Sequence, residues 1–198
     1  MMKQIKKIAV FCGSNLGTKN AYREDAIKFA ETLVNAGIGI VYGGAKVGLM
    51  GVLADKVVAM GGEVIGVIPQ SLMKYEIAHP NLTELRVVNS MHERKTVIAD
   101  LSDGFIMMPG GIGTLEEFFE ITTWAKLNYH QKPCGILNSN NFYDLLISFL
   151  DYMRDEQFVQ SEYREMIQID TCPENLLKKF FDYEAPTASA WIEDTKAF

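Results

Sequence analysis

The amino-acid sequence predicts an α/β fold: one doubly wound, mostly parallel sheet with helices on both faces, in a single domain. Three observations predict it. Short apolar runs alternate with longer amphipathic stretches, the pattern of strand–helix units. Several of those runs end abruptly in glycine, at Gly13, Gly43-Gly44 and Gly110-Gly111. The composition, 48% hydrophobic and 22% charged over 198 residues, is that of a globular chain able to bury a full core.

Residues 8–12 read as the first buried strand, ended by Gly13-Ser14. Helix one follows, with Tyr22, Ala26, Phe29, Ala30 and Leu33 on one face at spacings of three and four. Gly37 stops it, where glycine is favoured after a helix. Residues 38–42 form strand two and residues 49–60 helix two, ended by Gly61-Gly62. Residues 64–68 form strand three, cut off at Pro69. Residues 70–85 are irregular, and 86–88 form a short strand. A helix over 91–101, a strand over 104–108 and a helix over 114–127 come next. The remaining elements are a strand at 135–137, a helix at 142–153, a strand at 167–169 and a helix at 174–181. The domain is placed at residues 1–183, Rossmann-like in its alternation. The tail, 184–198, is polar with isolated Trp191 and Phe198.

A net charge of −6 argues against a broad nucleic-acid surface, which needs clustered Lys and Arg. Cys12, Cys134 and Cys172 are odd in number and widely spaced, so neither a disulfide scaffold nor a cysteine zinc site is expected. His79, His92 and His130 show no metal spacing. Neither a signal-peptide core nor an apolar run of about 20 residues is present. The expectation is a cytoplasmic protein with no membrane association, no metal and no cofactor.

Two glycine-rich turns each follow a buried strand and open a helix: Gly43-Gly44-Ala45-Lys46-Val47-Gly48 and Pro109-Gly110-Gly111-Ile112-Gly113-Thr114. In a parallel sheet both lie at the carboxyl edge, where ligands bind. Bare backbone N–H groups and a helix N-terminus there suit a phosphate. The first turn lacks the Lys and Ser/Thr of a P-loop, with Leu49 and Met50 in their places. In the second, Glu116 replaces the third glycine of a dinucleotide fingerprint and would repel a pyrophosphate. What remains is a cradle for a smaller phosphate, with Ser14 on the same edge. Thr114 and Glu117 read as a capping box, Thr114 at the N-cap and Glu117 at N3. Glu117 also stands where a carboxylate could act as a base or stabilise a developing cation. Upstream, Arg94 suits an oxyanion through paired hydrogen bonds.

Pro109-Gly110-Gly111-Ile112-Gly113-Thr114-Leu115-Glu116-Glu117 resembles the P-G-G-x-G-T-x-x-E motif of the LONELY GUY (LOG) family. Met91-His92-Glu93-Arg94-Lys95 resembles that family's M-H-x-R-K, and the 23-residue step from Arg94 to Glu117 agrees. The likeness runs from about Lys7 to about Arg154. It implies hydrolysis of the N-glycosidic bond of cytokinin riboside 5′-monophosphates, giving an N6-substituted adenine and ribose 5-phosphate. Arg94 and Glu117 match its catalytic pair. Glu76, Arg94, Lys95, Gly111, Ile112, Gly113, Thr114, Leu115, Glu116, Glu117 and Thr123 match substrate-binding positions, to which the loop reading adds Gly110, Ser14, Gly43 and Gly44. An older label for such sequences, lysine decarboxylase, finds no lysine setting for a pyridoxal phosphate Schiff base here. A broader nucleotide 5′-monophosphate nucleosidase and a non-catalytic nucleotide or phosphate-ligand carrier are the alternatives. The family resemblance implies a homodimer, and Leu115, Phe118, Phe119, Ile121, Trp124 and Ala125 make one helix apolar over much of its circumference.

Overall fold

The computed structural model describes residues 5–73 and 77–186. Seven strands form one sheet in the order β4-β3-β2-β1-β5-β6-β7: β1 (Lys7–Phe11), β2 (Gly39–Tyr42), β3 (Val64–Pro69), β4 (Glu84–Val88), β5 (Gly104–Met107), β6 (Cys134–Leu137) and β7 (Ile167–Asp170). Every pairing is parallel. The sequence is therefore right about the class, and the sheet is parallel throughout its described strands rather than mostly so.

Side-chain alternation along β1 shows how the chain winds both ways. Ile8, Val10 and Cys12 enter one core with α1 (Asn20–Asn35), α2 (Gly48–Ala59) and α7 (Pro173–Phe181). Ala9 and Phe11 enter the other with α3 (Met91–Leu101), α4 (Ile112–Lys126) and α5 (Asp144–Asp155). A strand buried on both faces must be apolar, as this one is from Ile8 onward. The predicted face of α1 is the buried one, Tyr22, Ala26, Phe29, Ala30 and Leu33. Fully burying side chains such as Phe29 or Leu33 contributes about 1.5–3 kcal/mol each. Gly37 takes the left-handed conformation (φ 69°) that ends the helix.

β1 lies between β2 and β5, so successive crossovers leave it in opposite directions. That reversal is the point where parallel α/β sheets open a crevice at their carboxyl edge. Two small elements escape the hydrophobic pattern, α6 (Ser161–Glu165) and a 3₁₀ turn at Ser139–Asn141. Both are shorter than the window in which periodicity shows. β3 runs on to Pro69, which serves as its last residue paired with Val88. Trp191 and Phe198 lie outside the described residues. Among those described, no helix is long and apolar enough to cross a membrane.

Candidate active site

Three turns meet at the reversal point, and Gly13 stitches them. Its N–H donates to Pro109 O (2.9 Å) and its carbonyl accepts from Leu49 N (3.0 Å). Much of the glycine content follows from this crowding. A Cβ on Gly48, which has φ 59°, would overlap the backbone of Ser14 and Asn15. A Cβ on Gly43 would strike the Arg94 guanidinium, and one on Gly110 would strike the Thr114 hydroxyl.

Gly111 and Gly113 differ. A Cβ at either meets nothing within 4 Å, and neither has positive φ. Protein packing therefore supplies no reason for glycine there, while a ligand approaching the backbone would. Gly111 is the N-cap of α4, Ile112 and Gly113 its first two residues. The first amides of α4, which lack intrahelical partners, thus border open space at the positive end of the helix dipole. Ile112 is 82% exposed at this rim.

Thr114 is not the N-cap. α4 starts two residues earlier, so Thr114 is its third residue, buried against Gly110, and Glu117 stands a turn further in. The N3 position therefore belongs to Thr114 and not to Glu117. A close variant of the capping box sits on α3 instead: the N-cap Ser90 hydroxyl accepts from Glu93 N (3.1 Å), and Glu93 Oε2 accepts from the N–H of the preceding residue, Asn89 (2.7 Å).

Arg94 and Glu117 come together, Nη2 to Oε1 at 3.5 Å, with side chains 6% and 15% exposed. The pair is loose for a charge-assisted contact, and the buried Arg94 Nε has no acceptor among the described residues. A desolvated guanidinium with an unused donor favours an anion. The thiol of buried Cys12 is pushed up by burial and then by the negative charge of Glu117, so it stays protonated. Sequence reasoning singled out no such role for Cys12, because it reads simply as the end of an apolar strand.

Lys95 and Glu116 belong to a neighbouring network. Lys95 ion-pairs with Glu116 and with Glu120 Oε2 (2.7 Å), joining α3 to α4. Burial opposes the Lys95 charge, but the two carboxylates outweigh it and raise its pKa. Ser14 is exposed and, with Gly110, Gly111, Tyr22, Leu49 and Phe142, lines a cavity of about 290 Å³ beside the turn. Gly43 is buried under Arg94, Gly44 is buried against Leu85 and Val67, and Leu115 is half-buried. Thr123 lies six residues beyond Glu117, about 9 Å further along the helix, and its hydroxyl donates to Phe119 O. Glu76 lies outside the described residues.

Residues 50–180 match the family model described as "Possible lysine decarboxylase". The chain is 44% identical over 180 residues to cytokinin riboside 5′-monophosphate phosphoribohydrolase LOG1 of Arabidopsis thaliana, covering 91% of this chain and 84% of that one. It is 43% identical over 180 residues to cytokinin riboside 5′-monophosphate phosphoribohydrolase LOG of Oryza sativa, covering 91% and 74%. The chain belongs to the LONELY GUY family. Among solved structures, the LOG-family chain resembles the molybdenum cofactor carrier protein of Chlamydomonas reinhardtii (TM-score 0.65, 14% identity, 91% and 100% covered). It also resembles the molybdenum cofactor binding protein of Rippkaea orientalis (TM-score 0.65, 20% identity, 88% and 94% covered). At those identities the likeness establishes a shared fold alone.

Proposed function

We propose that this LOG-family chain is a phosphoribohydrolase that cleaves the N-glycosidic bond of N6-substituted adenosine 5′-monophosphates. The observation that carries the reading is the juxtaposition of Gly111 and Gly113, glycine without a packing reason, with the buried Arg94 and its partner, the half-buried Glu117. The 5′-phosphate lies on the first amides of α4. Holding that remote end orients the sugar. Cleavage builds positive charge at C1′ and the ring oxygen, which the Glu117 carboxylate stabilises while it orients or deprotonates a water. Water supplies hydroxyl to C1′ and, in balance, a proton to the departing base, which keeps the bonding pair. Arg94 cannot release a proton near neutrality. Its role is to bind phosphate or ribose and hold Glu117 in place.

The domain proposed for this activity is 1–183. The protein works as a homodimer, supported by the half-buried Leu115, Phe119 and Trp124 on α4, and sedimentation at twice the chain mass checks this. The free thiols Cys12, Cys134 and Cys172 suit a reducing cytoplasm.

The test incubates the protein with AMP and with its N6-isopentenyl analogue and measures free base and ribose 5-phosphate. Faster release from the analogue supports the proposal. Equal rates assign a broader nucleotide nucleosidase, and tight binding without release assigns a carrier.

A further inference from the structure

His79 is dismissed by any search for metal spacing, yet it is 3% exposed and uses both ring nitrogens. Nδ1 accepts from Asn81 N (3.2 Å), so the ring proton sits on Nε2 and is donated to Asp55 Oδ1 (3.0 Å) on α2. The short strap 77–79, which His79 ends, is bonded to the first glycine turn. Lys46 N donates to Ile77 O (2.8 Å), His79 N donates to Gly44 O (2.9 Å), and Ala45 and Ala78 form an antiparallel bridge. An apolar side chain, Ile77, is held 67% exposed on this strap.

The strap's position relative to the proposed reaction is fixed by Arg94. Its guanidinium touches Glu117 on one side and packs against Gly43 on the other. A nucleotide with its phosphate on α4 and its C1′ at Glu117 must extend its base away from the phosphate. The Gly43–Gly44 turn packs against Arg94 on the side away from Glu117, and the strap is bonded to that turn, so the base is assigned to this wall.

We infer that Asp55 and His79 form a latch that sets strap 77–79 on the Gly43–Gly44 turn and so fixes the wall facing the base, making both of them positioning residues for substrate binding. The inference rests on the phosphoribohydrolase reading. Asp55 is the better probe because its side chain is 65% exposed, so its removal opens no cavity and takes away only the acceptor of the buried His79 Nε2 proton. Asp55→Ala loses the acceptor, whereas Asp55→Asn keeps a carbonyl oxygen to take the Nε2 proton.

The experiment measures kcat and KM with the N6-isopentenyl nucleotide, and amide hydrogen exchange, in wild type and both variants. Asp55→Ala is expected to raise KM about 3- to 10-fold with kcat within about twofold, and Asp55→Asn to stay within about twofold in both. In Asp55→Ala the amides of Lys46, His79 and Asn81 exchange faster, while those of Gly13 and Leu49 keep their protection. An unchanged KM in Asp55→Ala, a loss confined to kcat, or equal defects in both variants overturns the latch while normal wild-type turnover leaves the reaction standing. Absence of base release by wild type overturns the reaction itself, and the latch with it.

Discussion

The two glycine-rich turns look alike in sequence and are built for different ends. In the β2–α2 turn, neighbours occupy or crowd the places where side chains would be: Arg94 over Gly43, the Ser14–Asn15 backbone over Gly48, and Lys46 O over Gly51. In the β5–α4 turn, Gly110 is likewise filled by Thr114, but Gly111 and Gly113 face open space. The comparison teaches that glycine in a turn has two separable causes, close packing of the protein on itself and access for something that is not protein. Only the second turn shows the second cause, and it is the one next to Glu117.

The largest expected effect lies in the packed turn. Gly48→Ala places a side chain at φ 59° and into backbone, so the fold should lose about 2–4 kcal/mol, read as a lowered denaturation midpoint. The open turn should respond in the opposite sense. Gly113→Ala is compatible with its helical backbone and meets no atom, so stability should rise by about 0.4–1 kcal/mol. The same methyl obstructs an approaching phosphate, and KM should rise about tenfold or more. Loss of stability with normal KM would place Gly113 in the packed class and erase the contrast. The smallest effect belongs to the charges flanking that turn. Glu116 is half exposed and shares Lys95 with Glu120, so Glu116→Gln should shift stability by less than about 1 kcal/mol and leave turnover near wild type.

How much of this was legible in the sequence follows from the range of each signal. Buried parallel strands and the apolar face of α1 are local patterns, and they stand where periodicity places them. The helix over 91–101 has its predicted limits because Ser90 and Glu93 cap it. Spacing misplaces the start of α4 for the converse reason: Thr114 and Glu117 have capping-box spacing, but Gly111 already takes the extended N-cap conformation. Spacing cannot choose between two candidate caps. The meeting of Arg94 with Glu117 depends on α3 and α4 packing on one face, which motif resemblance implied and composition could not. The His79–Asp55 bond joins residues 24 apart and carries no local pattern. Lys95 and Glu116, matched by resemblance to substrate positions, are engaged with each other, an arrangement visible only when α3 lies beside α4.

The central claim is that phosphate binding at the head of α4 and bond cleavage at Glu117 are separate jobs of one crevice. Glu117→Gln keeps the side chain's shape and removes its charge. The decisive measurement is the affinity of that variant for AMP, by calorimetry, set beside its rate of base release. The account predicts affinity within about threefold of wild type and turnover reduced about 10²-fold or more. Undiminished turnover would contradict it.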